Sequence, residues 1–265
     1  MFVSFVVATY NCVDRVHVLL RSVKALQGLP CEFLISDGGS TDGTLKLLAA
    51  EAGVRVVCSG PDRGIYDAWN RALGACLGKY ISFIGVDDEP CRRFVEAALR
   101  KFGTASASPG VICGDILLRR GELFRHVSAP VRPDLFNAEA PSFDIPHPGC
   151  LNHAALFKDR HFSAEYKLAG DLEFYLRARY DIGERGYERI DELQAIVDAD
   201  GMSRSNAAFS IYHDEYSRIQ SALHLRLGYS LPRLQMMSLF DRAPWVFKML
   251  KQISWAIRGR TRTLK

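Results

Sequence analysis

The sequence predicts an α/β protein built on an open, mostly parallel sheet with helices on both faces. Three observations carry that reading. Short apolar runs rich in β-branched and aromatic residues alternate with stretches of helical periodicity over the first 90 residues. Polar clusters close the runs or the loops between them, at residues 9–11, 37–41, 62–64 and 87–89, and in such sheets ligands bind at the carboxyl ends of the strands. The composition, 48% apolar and 24% charged over 265 residues, is that of a globular chain able to bury a large core.

Taken in order, residues 2–9 form the first strand. Val16, Leu19, Leu20, Val23 and Leu26 lie at helical spacing, and Gly28 and Pro30 end that helix. "CEFLISD" is a second strand, "GGSTDGT" a turn and "TLKLLAAEAG" a second helix. "VRVVCSG", "GIYDAWNRALGAC" and "YISFIGV" continue the alternation as strand, helix and strand. Beyond residue 90 we expect a helix in "CRRFVEAALRKF" and a hairpin through "GVICGDILLRRGELFRHV". Residues 130–150, with five of the eleven prolines, read as a loop. "GDLEFYLRARYDIG" reads as a helix, "YERIDELQAIVDADGMS" as an edge strand and loop, and residues 210–227 as a polar helix.

Charge is unevenly placed. Residues 1–241 carry 27 basic against 30 acidic side chains, whereas seven basic residues and no acid follow from Arg242 on. In that tail Val246, Leu250, Ile253 and Ile257 fall at helical spacing beside Trp245, with Lys248, Lys251 and Arg258 between them. A basic amphipathic helix with tryptophans suits an anionic membrane surface, although terminal amphipathic helices also pack on their own domain. Nucleic acid is not an expected partner, since the body is acidic and no recognition motif occurs. No run is long and apolar enough to span a bilayer, and "MFVSFVVATYN" lacks the basic start of a signal peptide. The seven cysteines are scattered without a CxxC pair, which argues against a zinc site or a disulfide framework and fits a cytoplasmic location.

Four clusters have chemistry to offer. Asp37, before Gly38-Gly39, is placed to accept from a nucleobase or ribose, or else to form an Asx turn capping the next helix. Neither a Walker A loop nor a dinucleotide fingerprint is present. Asp62, Arg63, Asp67 and Asn70 fall at loop-to-helix spacing, where Arg63 suits a phosphate and a capped helix is the plainer alternative. Asp87, Asp88 and Glu89 end an apolar run. Adjacent carboxylates without Cys or His suit Mg²⁺ or Mn²⁺, which also take phosphate oxygens. Asp171 opens a helix and would either act as a general base or simply favour the helix dipole.

In sequence order, "VVATYN", "ISDGGSTDGT", "PDRGIYDAWNRAL", "YISFIGVDD" and "AGDLEFYLR" together resemble the family 2 glycosyltransferases, most closely bacterial enzymes of exopolysaccharide and lipopolysaccharide assembly. The resemblance covers roughly residues 3–205. It implies a GT-A, Rossmann-like fold, with a nucleotide-binding half over residues 1–90, an acceptor half over 91–240 and the basic helical tail over 241–265. It implies an inverting hexosyltransferase that uses a nucleotide-diphosphate sugar, UDP-linked, with Mn²⁺ or Mg²⁺. The implied acceptor is a lipid-linked saccharide at the cytoplasmic face of the inner membrane. Residue by residue it places Thr9 and Tyr10 by the base and Asp37 on the uracil or ribose. Asp62, Arg63 and Asp67 line the nucleotide-sugar pocket, Asp87 lies at the donor and Asp88 on the metal. Asp171 is the base, with Glu173 in reserve, and His147, His153, Ser203 and Arg204 lie near acceptor or diphosphate. Gly85-Val86 stands where the family usually has an Asn-Ala pair, and residues 200–203 depart from the usual Gly-Gly-x-Ser, which weakens the role of Arg204. Two rivals differ in chemistry. A sugar nucleotidyltransferase would want a glycine-rich loop after the first strand, where "ATYNCVDR" has no glycine. A non-catalytic nucleotide-sugar binding protein would have no use for Asp88 and Asp171 together.

Overall fold

The computed structural model describes residues 1–105, 108–137, 141, 144–199 and 208–227. The basic tail, with Ser203 and Arg204, lies outside the described residues. The first half is a parallel α/β unit: β1 (Val3–Thr9), α1 (Val16–Ala25), β2 (Cys31–Asp37), α2 (Thr44–Ala49), β3 (Val54–Ser59), α3 (Ile65–Leu73) and β4 (Tyr80–Ile84). There follow β5 (Glu89–Pro90), α4 (Arg92–Phe102), the hairpin β6 (Val111–Arg120) and β7 (Leu123–Val127), and β8 (Leu151–His153). The chain then forms α5 (Gly170–Arg185), β9 (Tyr187–Asp198) and α6 (Ala208–Leu223).

These strands form one sheet among the described residues, in the order β3-β2-β1-β4-β8-β6-β9-β5, with β7 on β6. Strand β1 pairs in parallel with both β2 and β4, so the polar ends of all three lie side by side. The sheet runs on across the boundary expected at residue 90: β8 is antiparallel to β4 and to β6. The alternation of side chains explains the two layers. Val3, Phe5 and Val7 face one core with Val16, Leu19 and Val23 of α1 and Phe94, Val95 and Ala98 of α4. Val6 and Phe83 face the other, with Tyr66 and Trp69 of α3, Phe174 and Tyr175 of α5, and Ile219 of α6.

One expected element is corrected. Strand β9 is not an edge: it pairs in parallel with β6 and antiparallel with β5. Its charged residues resemble those of a solvent-facing edge but meet partners from neighbouring elements. Arg189 reaches Asp115 at 3.1 Å, and Glu188 pairs with Lys101.

Candidate active site at the carboxyl ends of the parallel strands

The loops after β1 and β2 are tied together by side chains. Asn11 accepts from the Thr41 amide through Oδ1 at 2.8 Å, and its own amide donates to Ser40 Oγ at 2.8 Å. The Val13 amide donates to Asp42 and the Cys12 amide to Thr44 Oγ1. At the centre is Asp37, only 1% exposed. Its Oδ1 accepts from the amides of Gly39 (2.9 Å) and Ser40 (2.8 Å) and from Ser59 Oγ (3.2 Å). Its Oδ2 accepts from Thr9 Oγ1 (2.9 Å) and Ser40 Oγ (2.6 Å). Burial raises the pKa of this carboxyl, but the Ser40 hydroxyl and amide, with Thr9 and Gly39, outweigh it, and the net shift is downward. Five donors saturate the carboxylate, so the geometry makes Asp37 and Thr9 organisers of the loop. Tyr10 is the reverse, 64% exposed on the same loop. A Cβ added to Gly38 would lie 2.9 Å from Asp62 Oδ2 and 3.3 Å from the Tyr10 ring, which puts these two side chains around one point.

Helix α3 builds its own entrance. Asp62 Oδ1 accepts from the Gly64 amide at 2.9 Å. Asp67 is buried, and its carboxylate takes the Arg63 amide at 3.1 Å, Arg63 Nη2 at 3.4 Å and Arg71 Nη2 at 2.9 Å. Arg71 also holds the carbonyls of Gly60 and Pro61. Asp67, grouped by sequence with ligand-facing residues, is thus occupied within the protein. Arg63 keeps 77% of its side chain exposed and remains available to an anion.

The three acids after β4 part company. Glu89 enters β5 and pairs with Arg119 and, at 3.7 Å, with Arg21. Asp87 Oδ2 meets Arg15 Nη1 at 2.9 Å. Asp88 is buried, and its Oδ2 accepts from the Gly85 amide at 2.7 Å. A Cβ on Gly85 would stand 2.9 Å from Asp87 Oδ1 and 3.1 Å from Asp88 Oδ2. The two carboxylates therefore flank a small space that only glycine leaves open. Hard oxygen donors of this kind fit Mg²⁺ or Mn²⁺, which fill the rest of their shell with water and phosphate. Among the described residues no cluster of three or more His, Cys, Asp and Glu offers an all-protein metal site.

Asp171 lies in the first turn of α5 with 23% of its side chain exposed, open to an incoming group. Its Oδ1 accepts from the Leu172 amide at 2.8 Å and from the Tyr66 hydroxyl at 3.2 Å. Burial, then the charge of Asp171, raise the Tyr66 pKa well above its ordinary value, so this hydroxyl stays a donor. A Cβ on Gly170 would come within 2.7 Å of the Tyr66 ring, so glycine is what allows α3 and α5 to approach this closely. His147 Nδ1 is 3.9 Å from Asp171 Oδ2. Burial lowers the His147 pKa, and Asp171 only partly opposes it, which favours the neutral ring.

His147 also links Asp171 to β4. Its ring stacks on Phe83 of β4 with centroids 5.9 Å apart, and the Gly149 amide donates to the Phe83 carbonyl at 3.3 Å. The loop is fixed from β9 by buried Gln194, whose Nε2 donates to the Pro146 and Pro148 carbonyls at 2.8 and 2.6 Å. Asp171 is thereby brought toward the end of β4, where Asp87 and Asp88 follow. Glu173 is occupied by Arg177, at 2.6 and 2.9 Å. His153 sits back at the start of β4, opposite Tyr80, away from these groups. Tyr66, Gln194 and Glu215 escaped the sequence reading.

Comparison with known proteins gives the family and the fold of this chain. A model described as glycosyl transferase family 2 matches residues 4–163. The chain is 34% identical over 165 residues to the succinoglycan biosynthesis protein ExoO of Rhizobium meliloti, covering 60% of this chain and 44% of that protein. It is 32% identical over 88 residues to the Escherichia coli UDP-Glc:alpha-D-GlcNAc-diphosphoundecaprenol beta-1,3-glucosyltransferase WfaP, covering 32% of this chain and 35% of that one. The chain thus spans less than half the length of these curated relatives. Among solved structures, glucosyl-3-phosphoglycerate synthase from Mycobacterium tuberculosis, in complex with Mn²⁺, UDP and glucosyl-3-phosphoglycerate, superposes with a TM-score of 0.57 at 17% identity. That match covers 86% of this chain and 81% of that one, and shows a shared fold. The chain belongs to glycosyltransferase family 2, and its α/β architecture is that of the GT-A fold.

Proposed function

We propose that this chain moves a hexosyl group from a UDP-linked sugar to a hydroxyl of a saccharide acceptor, inverting the anomeric centre. The observation that carries the reading is the approach of partly exposed Asp171 to His147, whose ring stacks on Phe83 of β4, the strand that Asp87 and Asp88 follow. The exposed Tyr10 ring is a stacking surface for the base, with Asp62 beside it, and the Arg63 guanidinium suits a phosphate. Asp37, Thr9 and Asp67 hold the loops that present these groups. Asp88 and Asp87 would hold a divalent cation, which neutralises the charge that builds on a departing diphosphate.

Asp171 takes the proton of the acceptor hydroxyl as the bond from the anomeric carbon to the diphosphate oxygen breaks. The new bond forms on the opposite face, through an oxocarbenium-like state. The Tyr66 hydroxyl and Leu172 amide orient the carboxylate, and the aromatic wall of Trp69, Phe83 and Phe162 behind His147 limits water at the site.

A lipid-linked acceptor is supported by the diphosphoundecaprenol substrate in the name of the E. coli relative. The basic tail, outside the described residues, supports attachment to an anionic membrane surface at the cytoplasmic face, and no described helix is long and apolar enough to cross a membrane. The test is a thermal-shift and UDP-release screen of UDP-hexoses with and without Mn²⁺, followed by NMR assignment of the product anomer. A true donor stabilises the protein by mass action. No response to any nucleotide sugar would sink the activity, and a retained anomeric configuration would sink inversion alone.

A further inference from the structure

We propose that Glu215 of α6 is a positioning residue for Asp171, clamping the backbone that leads into α5; this rests on the assignment of Asp171 as the base. Helix α5 begins at Gly170 with Ala169 as its N-cap, and Ala169 has no side-chain oxygen to offer. The amides there are met from another helix. Glu215 Oε1 accepts from the Lys167 amide at 2.5 Å, and Oε2 accepts from the amides of Leu168 and Ala169 at 3.0 and 2.8 Å. The residue is 3% exposed.

A buried carboxylate is costly unless donors surround it. Three N–H groups, and the positive end of α5, supply that here. If the only task were to pack α6 on α5, an apolar side chain would do it without desolvating a charge; Ile219, one turn further along α6, already lies in the core shared with Leu172 and Phe174. What the carboxylate adds is a fixed path for residues 167–169, immediately before Gly170 and Asp171. Tyr66 holds Asp171 by its oxygen, and Glu215 holds the chain that carries it. A base must stand within hydrogen-bond reach of its proton, and a displacement of about 1 Å can cost on the order of a hundredfold in rate.

The experiment uses the full chain and UDP release from the UDP-hexose that the wild type turns over fastest. Glu215→Gln, Asp171→Asn and the double variant are compared for kcat, KM, UDP affinity and Tm. Glutamine keeps the length but leaves one acceptor oxygen for three N–H groups. Expected is a fall in kcat of about tenfold to a hundredfold, with donor KM and UDP affinity within about twofold of wild type. Because Glu215 acts through Asp171, the fall should vanish in the Asp171→Asn background. An equal loss in both backgrounds, a loss confined to KM, or an unchanged kcat would overturn the proposal. Should Glu215→Gln fail to fold, Glu215→Asp, with the carboxylate withdrawn by one methylene, carries the same comparison. If Asp171→Asn itself keeps wild-type turnover, the base assignment falls and this proposal with it. If Asp171→Asn is slow and Glu215→Gln is not, the proposal alone falls.

Discussion

Replacing Asp37 separates a loop organiser from a ligand-binding acid. Asp37→Ala strands two half-buried amides, Gly39 and Ser40, and the buried Thr9 hydroxyl. Partial access of water argues for the low end of about 1–3 kcal/mol per unsatisfied group, or roughly 4 kcal/mol in all with the other hydroxyls. Asp37→Asn is milder. Its oxygen can still face the two amides, while Thr9 and Ser40, being hydroxyls, can turn to accept from the new NH₂. What is lost is the charge assistance, about 1 kcal/mol on each amide bond, or roughly 2 kcal/mol. At ~2–4 °C per kcal/mol for a chain of this size, Tm should fall by roughly 10 °C for Ala and 5 °C for Asn at pH 7. The pH dependence has a definite sign. The native carboxyl is held below its unfolded value, so the unfolded chain binds the proton first. The stabilisation is present above about pH 3.9 and is lost as pH falls through the native pKa, so the gap between wild type and Asp37→Asn should narrow below about pH 4. Thermal unfolding at pH 7 and pH 3.5, with UDP titration calorimetry, reads all of this. An Asp37→Asn variant as stable as wild type but more than about tenfold weaker for UDP would refute the organiser role and return Asp37 to the base.

Further outcomes follow from the same geometry. Asp88→Ala should abolish transfer and remove the Mn²⁺-dependent part of UDP binding; full activity of that variant in EDTA would be decisive against the metal site. Asp171→Asn should bind the donor normally yet turn over slower by a factor on the order of a hundred or more, and a silent Asp171→Asn beside a dead Glu173→Gln would move the base to Glu173. Gly170→Ala reverses the usual helix preference: alanine is normally favoured by about 1 kcal/mol, but here its Cβ meets the Tyr66 ring at 2.7 Å, so we expect lower Tm and lower kcat together. Removing residues 244–265 should abolish salt-sensitive binding to anionic liposomes and spare Mn²⁺-dependent UDP release, whereas unfolding on truncation would make the tail part of the core.

The parallel unit was legible because its central strands β1 and β4 are buried on both faces, so "VSFVVAT" and "YISFI" read as continuous apolar runs with polar ends. The later sheet was not. Strand β8 has only three residues, with no room for a period. Strand β9 carries charges that are paired with neighbouring elements, Arg189 with Asp115 of β6 and Glu188 with Lys101 of α4, which sequence alone reads as solvent exposure. The three acids looked like one feature because they are adjacent, but strand formation hands Glu89 to Arg119 and leaves Asp87 and Asp88 around Gly85. Asp37 and Asp67 were legible as polar residues in the right loops, but not as acids held within the protein: Asp67 is paired with the arginines four residues to either side, and the donors of Asp37 come from both near and distant positions. Thr9 and Ser59 lie 28 and 22 residues from Asp37.

The family match stops at residue 163, yet the acid assigned as base comes after it. The contacts that place Asp171 explain how the matched segment still constrains it. Tyr66 reaches Asp171 across 105 residues, from a helix inside the matched segment, and Gly170 is the residue that admits its ring. His147, also inside the segment, approaches from the loop stacked on β4. The remaining support, Glu215, comes from α6, wholly outside it. The loops after β1, β2 and β3 are tied to one another entirely within the matched segment. Asp171 is held by three elements distant in sequence, two of them in the matched segment and one beyond it. If Asp171 is the base, a chain that kept every residue of the matched segment but replaced α6 should bind nucleotide as before and turn over more slowly, which the donor affinity and kcat of such a chimera would check.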